Sequence, residues 1–281
     1  MIELLKVIIM GIVQGLSEFL PISSSGHLVF ASNIITLITG NPDLSKSSYD
    51  IVLSMMLHIG TLIAVLIYFY HDISDIIKSF VTGIKTKNYD DYNTKLGFYI
   101  LWSTVATILV AIVLNNTAER LMQRPAVVGF MLIITGVILF FSEKFSDTVP
   151  AKENMITLKT AVIMGLAQGI AVLPGFSRSG WTIASGLFSG ADRVSCAKYS
   201  FIMSLPVILG ASIIYPLIEI NYSELLSYNW IYIFIGTLVS AIVGYLCIKY
   251  FIAFLAKYSL RVFGYYCVIV GFVATLIFTF I

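Results

Sequence analysis

Charged side chains are scarce in this chain: Asp, Glu, Lys and Arg supply 11% of its 281 residues, where soluble domains carry roughly a quarter. With 58% hydrophobic residues and a mean hydropathy of +0.94, that shortage excludes an ordinary soluble fold and leaves a polytopic membrane protein. Cysteine is also rare. Cys196, Cys247 and Cys267 are single, odd in number and without metal-ligand spacing, which excludes a disulfide framework or a zinc site and leaves them as small packing residues. Neither sign of charge is in excess. A formal net charge of +2 and the lack of a clustered basic arm argue against a nucleic-acid partner.

What the chain does have is an internal echo. Met10 to His27 (MGIVQGLSEFLPISSSGH) and Met164 to Thr182 (MGLAQGIAVLPGFSRSGWT) are versions of one another. Each opens with Met-Gly, places Gln-Gly three residues further on, runs through an apolar turn to Leu-Pro and ends in a serine-rich bend closed by Gly. Weaker matches continue outside these stretches, pairing Ser54 and Gly60 with Ser204 and Gly210, and Gly129 and Gly136 with Gly264 and Gly271. Self-similarity of this extent indicates a duplicated fold unit.

A membrane-spanning helix needs about 20 apolar residues. Residues 4–20 and 26–39 are apolar but shorter, and Pro21 with the serines after it interrupts them, so 4–39 is read as a re-entrant hairpin. Full spans follow at 51–70, 97–114 and 125–142. Between the first two, Ile73, Ile76, Ile77 and Phe80 recur at helical spacing among Asp72, Asp75 and Lys78, which predicts an amphipathic helix on the membrane surface. Residues 143–156 are the expected linker. The second repeat, 157–281, has its own hairpin at 157–190 and spans at 199–218, 230–249 and 262–281. Three spans per half is an odd number, so the second half must sit upside down relative to the first. The fold expected is therefore all-α and integral to the membrane, an inverted-topology repeat whose halves each hold one re-entrant helical hairpin and three transmembrane helices. Lys and Arg crowd the loops within 71–96, 143–159, 191–198 and 249–261, whereas the opposite face carries only Lys6, Lys46, Arg120 and Arg124. The positive-inside rule then puts both termini outside the cytoplasm. On this plan the hairpin tips enter from opposite faces and meet near the midplane.

The polar residues of an otherwise oily chain concentrate at those tips. Gln14 and Glu18, four apart, share a helix face. Glu18 lies deep in an apolar run, where an ionisable group costs about 2.5–3.5 kcal/mol to insert, so it is read as functional. It could accept a proton, orient His27 or hold a metal cation. Arg178 is the basic residue of the second tip, able to neutralise Glu18 or to grip a phosphate bidentately. His27 follows Ser23, Ser24, Ser25 and Gly26, so one tight turn can bring a hydroxyl and an imidazole together. Ser177, Ser179, Gly180 and Thr182 repeat the arrangement around Arg178. Helix starts at both tips would aim free N–H groups at an anion. Two such starts with one Arg suit a substrate with more than one phosphate. His58, in mid-span, is equally readable as a packed interior histidine or as a supporting residue of the site.

These residues resemble a known family. Gln14-x-x-x-Glu18 followed by PISSSGH, together with PGFSRSGWT from Pro174 to Thr182, is similar to the two signature motifs of the undecaprenyl-pyrophosphate phosphatases of the bacitracin-resistance type, and the similarity runs over essentially the whole chain. The resemblance implies an enzyme of the bacterial cytoplasmic membrane that removes one phosphate from the C55 isoprenoid carrier pyrophosphate, regenerating the monophosphate for peptidoglycan synthesis. It implies catalytic roles for Glu18, Ser24, His27 and Arg178, with Ser24 or His27 as the nucleophile. Substrate binding would fall to Gln14, Ser23, Ser25, Gly26, Ser177, Ser179, Gly180 and Thr182. It further implies a divalent cation, Mg2+ or Ca2+, arriving with the substrate, because one carboxylate and one amide make a poor cage. The partners expected are a polyprenyl pyrophosphate lipid, the bilayer and a second copy in a homodimer. Inverted repeats with broken helices are also a transporter plan, so a secondary transporter or lipid flippase is the alternative.

Overall fold

A computed structural model describes residues 2–39, 48–148, 155–219 and 228–280. Among these, eleven helices follow one another: α1 (Ile2–Ser17), α2 (Ser24–Thr39), α3 (Ser48–Tyr68), α4 (Tyr70–Thr86), α5 (Tyr92–Met122), α6 (Pro125–Thr148), α7 (Leu158–Ile170), α8 (Arg178–Phe188), α9 (Arg193–Glu219), α10 (Trp230–Leu255) and α11 (Arg261–Phe280). Six of them, α3, α5, α6, α9, α10 and α11, contain stretches long and apolar enough to cross a bilayer. These are the six spans expected. Side chains such as Val113, Phe234, Ile269 and Phe272 stand outward and exposed, which suits acyl chains as solvent and would be costly in water. The two short pairs, α1–α2 and α7–α8, occupy the interrupted stretches. At about 1.5 Å per residue, α7 and α8 fall well short of a bilayer's roughly 30 Å core.

Local chemistry explains where these elements begin. Asp91 caps α5, its carboxylate accepting from the Thr94 N–H at 3.0 Å, a contact that holds the carboxyl below its ordinary range. Thr157 and Asn229 cap α7 and α10 in the same way. The α4 helix sits at the predicted amphipathic segment and is tied to α5 by Thr94 Oγ1 donating to the Ser79 carbonyl.

Helix pairs close on glycine. Gly129 lies against Gly271 and Gly136 against Gly264, and a Cβ at Gly136 would stand 2.7 Å from the Gly264 carbonyl oxygen. The α6–α11 contact is thus antiparallel and reciprocal, and it joins the glycines that the sequence echo had paired. On the hairpins, Gly11 of α1 meets the Gly236 carbonyl of α10, and Gly165 of α7 meets the Ser103 carbonyl of α5. Small residues at such crossings let backbones approach where no hydrophobic effect separates helix from solvent.

Helix α6 runs on into the expected linker. Helix α6 continues to Thr148, so 143–148 is helical, while 149–154 and Lys46 lie outside the described residues. The reason is Glu143. It is fully buried, accepts three hydrogen bonds from Nε and Nη2 of the Arg193 guanidinium and takes the Leu260 N–H at 2.8 Å. Asp147, one turn on, pairs with Arg261. These charges fasten the end of α6 to the starts of α9 and α11. A buried carboxylate with that many donors needs its helix in register.

Candidate active site

The two hairpin tips are built alike. In the first, Ser23 sits at φ 70, a backbone region that non-glycine residues adopt at a cost, and its hydroxyl accepts from the Gly26 N–H at 3.2 Å. In the second, Ser177 caps α8 by accepting from the Gly180 N–H at 3.1 Å. Each capping hydroxyl also touches the serine two residues on, Ser23 with Ser25 at 3.3 Å and Ser177 with Ser179 at 3.2 Å. The tips then meet. Ser179 Oγ donates to the Leu20 carbonyl at 3.0 Å, and a Cβ on Gly180 would stand 3.2 Å from Pro21. On the other flank Gly26 faces the Gly175 backbone. A Cβ at 26 would crowd Ser23 Oγ at 3.1 Å and one at 180 would crowd the Ser177 side chain at 3.0 Å, so the capping serines leave little room for a side chain at either glycine.

Glu18 lies at the meeting point, 5% exposed. Its Oε2 accepts from Gln14 Nε2 at 2.9 Å and from Ser24 Oγ at 2.7 Å. Its Oε1 takes Arg178 Nη2 at 2.9 Å. Arg178 is steadied from behind, Nη1 donating to the Ser200 carbonyl at 3.2 Å. In the repeat Ser24 and Arg178 occupy equivalent positions, the first residues of α2 and α8, and each turns its side chain to the same carboxylate. The α2 and α8 helix starts therefore point their free N–H groups and positive dipole ends at one place.

The expected pairing of Ser24 with His27 is not formed. His27 folds back on its own helix start, Nδ1 donating to the Ser23 carbonyl at 2.8 Å. A carbonyl can only accept, so the proton is on Nδ1, and Nε2 accepts from the Tyr266 hydroxyl at 2.8 Å. The rings stack nearly parallel, 5.7 Å apart. Glu18, not His27, holds the Ser24 hydroxyl. Thr182 also turns away from the centre, bonded to the Arg178 carbonyl and to Ser200 Oγ at 2.6 Å, which fixes α8 on α9.

Three contributors escape a reading of the sequence, and a fourth, His58, is one that the sequence left open. Thr135 of α6 accepts from Ser177 N–H and Trp181 Nε1 and donates to the Gly175 carbonyl, bracing the second tip. Ser200 braces Arg178, and Tyr266 occupies His27. His58 stands with Nε2 3.7 Å from Glu18 Oε2. Of these only His58 carried a signal, an imidazole in an apolar span. The rest are ordinary polar residues whose role exists only through contact.

Chemically, the cluster combines a hydroxyl whose proton already points at a carboxylate, a guanidinium, and two helix starts with converging donors. That combination suits phosphoryl transfer, where catalysis is positioning plus stabilisation of charge on the transferred oxygens.

The sequence profile of the family described as bacitracin resistance protein BacA matches residues 7–273. A protein of Halothermothrix orenii named undecaprenyl-diphosphatase is 41% identical over 269 residues, covering 96% of this chain and 96% of that relative. Relatives of the same name from Methanosphaera stadtmanae and Rubrobacter xylanophilus are each 37% identical, covering 99% and 95% of this chain and the same shares of their own.

Proposed function

Because the chain belongs to the bacitracin resistance protein BacA family, we propose that it does what its relatives are named for and hydrolyses undecaprenyl diphosphate. It is a multi-pass membrane hydrolase that releases phosphate and returns undecaprenyl phosphate to peptidoglycan synthesis, and removal of the diphosphate confers bacitracin resistance. Its place is the bacterial cytoplasmic membrane, with both termini outside, which the labelling of terminal tags in intact cells tests. The reciprocal α6–α11 glycine contact and the twin hairpin tips support the inverted repeat. Transport is the less favoured reading, since a hydroxyl hydrogen-bonded to a buried carboxylate beside an arginine is equipment for bond cleavage.

The observation that carries the mechanism is the 2.7 Å contact from Ser24 Oγ to Glu18 Oε2, with Arg178 on the other oxygen. Glu18 takes the Ser24 proton as Oγ attacks the terminal phosphorus. The bond from that phosphorus to the bridging oxygen breaks, and undecaprenyl phosphate leaves. Arg178 turns from Glu18 to the phosphoryl oxygens, joined by the N–H groups of the two helix starts other than those of Gly26, Ser177 and Gly180, which the caps and Thr135 already occupy. Water then cleaves the phosphoserine and the proton returns to Ser24. His27 serves by gripping the Ser23 carbonyl, which fixes the backbone that presents Ser24.

Mg2+ or Ca2+ enters this proposal as the counter-ion of the diphosphate, where its charge would screen the phosphates. A cage supplied by the protein does not fit: among the described residues no three His, Cys, Asp or Glu side chains converge, and Glu18 is already engaged by Arg178, Gln14 and Ser24. The buried Gln14 Oε1, which has no hydrogen-bond partner, is a protein oxygen open to such a cation. EDTA is then expected to slow phosphate release and Mg2+ to restore it. A homodimer is part of the proposal and is tested by the mass of the protein in detergent. The deciding assay is phosphate release from undecaprenyl diphosphate in detergent micelles. Ser24→Ala should lower kcat by about 10³-fold or more, and full activity in that variant would reject Ser24 as the nucleophile.

A further inference from the structure

His58 is used by no step above, although it faces the central carboxylate. It lies midway along α3, and its Nδ1 donates to the Ser54 carbonyl at 2.8 Å. In the neutral ring that bond puts the proton on Nδ1, so the other nitrogen, Nε2, presents a lone pair. Glu18 Oε2 lies 3.7 Å from that nitrogen. Two acceptors face each other across that gap, about 1 Å wider than a hydrogen bond. Nothing draws them together while neither carries a proton.

Ser24 donates to that same oxygen, Oε2. When Ser24 attacks, its proton arrives on the atom that His58 faces. Glu18 then becomes a buried carboxylic acid whose O–H needs an acceptor. Ser24 Oγ has by then become a phosphoester, Gln14 presents Nε2, a donor, and burial of Glu18 keeps water away. An unpaired buried O–H is costly, so the proton transfer would be opposed without a partner. His58 Nε2 is the acceptor in place.

We infer that His58 is a positioning residue of the phosphatase site, whose Nε2 accepts a hydrogen bond from Glu18 Oε2 once Glu18 has taken the Ser24 proton. The atoms balance: the Ser24 O–H bond breaks, the Glu18 Oε2–H bond forms, and the imidazole gains a hydrogen bond without changing its own protons. In the second half of the reaction Glu18 gives the proton back to Ser24 Oγ and the gap reopens.

The inference rests on the assignment of Ser24 and Glu18 above, and its test separates the two. In the same micelle assay, active wild-type protein and inactive Ser24→Ala establish that assignment. His58→Leu fills the space without an acceptor, and His58→Gln restores a carbonyl oxygen that can accept. His58→Leu is expected to lower kcat about 10- to 100-fold, the cost of leaving one buried O–H without an acceptor, with KM changed by less than about threefold. His58→Gln should recover kcat to within about fivefold of wild type. Wild-type kcat in His58→Leu overturns the inference. So does His58→Gln as slow as His58→Leu while both unfold at the wild-type temperature.

Discussion

Replacing Arg178 with alanine separates what the central ion pair does for stability from what it does for the reaction. At rest the guanidinium meets Glu18 Oε1 at 2.9 Å and the Ser200 carbonyl at 3.2 Å, and the Glu18 side chain is 4% exposed. Arg178→Ala leaves that carboxylate ionised and buried, with only Gln14 and Ser24 as donors. Breaking one partner out of a buried pair costs about 3–5 kcal/mol, because the remaining charge is uncompensated. At about 2–4 °C per kcal/mol for a chain of this size, the unfolding temperature in detergent should fall by on the order of 10 °C. Adding Glu18→Gln removes the stranded charge and leaves an amide that Gln14 and Ser24 can still reach. The double variant should therefore regain most of the lost stability and remain inactive, since both the guanidinium and the base are gone. Tryptophan fluorescence during heating reads the first quantity and phosphate release the second. If Arg178→Ala unfolds at the wild-type temperature, or if the double variant is less stable than the single one, the ion pair does not hold the hairpin tips as argued.

Further outcomes follow from single contacts. Tyr266→Phe keeps the ring that stacks on His27 and removes the hydroxyl that fills its Nε2; it should cost about 1 kcal/mol of stability and leave phosphate release within a few-fold. A fall of two orders of magnitude would instead place His27 directly at the phosphorus. Glu143→Ala strands the Leu260 N–H and leaves Arg193 only the longer contact with Asp147 at 3.7 Å, so thermal unfolding should report a loss of about 3 kcal/mol, with KM for the lipid unchanged. A variant as stable as wild type would mean that the end of α6 is fastened by apolar packing instead.

What could be read from the residues alone was whatever has a single physical solution. An apolar run of about 20 residues crosses a bilayer, and one half as long, broken by Pro21 or Pro174 and a string of serines, turns back. Glu18 and Arg178 stood out because charge amid oil is expensive unless it is used. How far α6 runs past 142 was not legible, because Glu143 looks polar on paper and is wholly buried in the fold, where Arg193 and the Leu260 N–H supply what water would have supplied. Sequence spacing could bring Ser24 and His27 near each other but could not aim them, since a side chain at a helix start turns toward whichever acceptor the neighbouring elements place there. The arrival of α1 put the Glu18 carboxylate beside Ser24, and the carbonyl of Ser23 drew the imidazole the other way. Composition and pattern thus determined the spans, the broken hairpins and the charges at their tips. Tertiary structure alone decided which hydroxyl faces which base, because hydrogen-bond partners are set by angles and distances of a few tenths of an ångström that no local rule encodes.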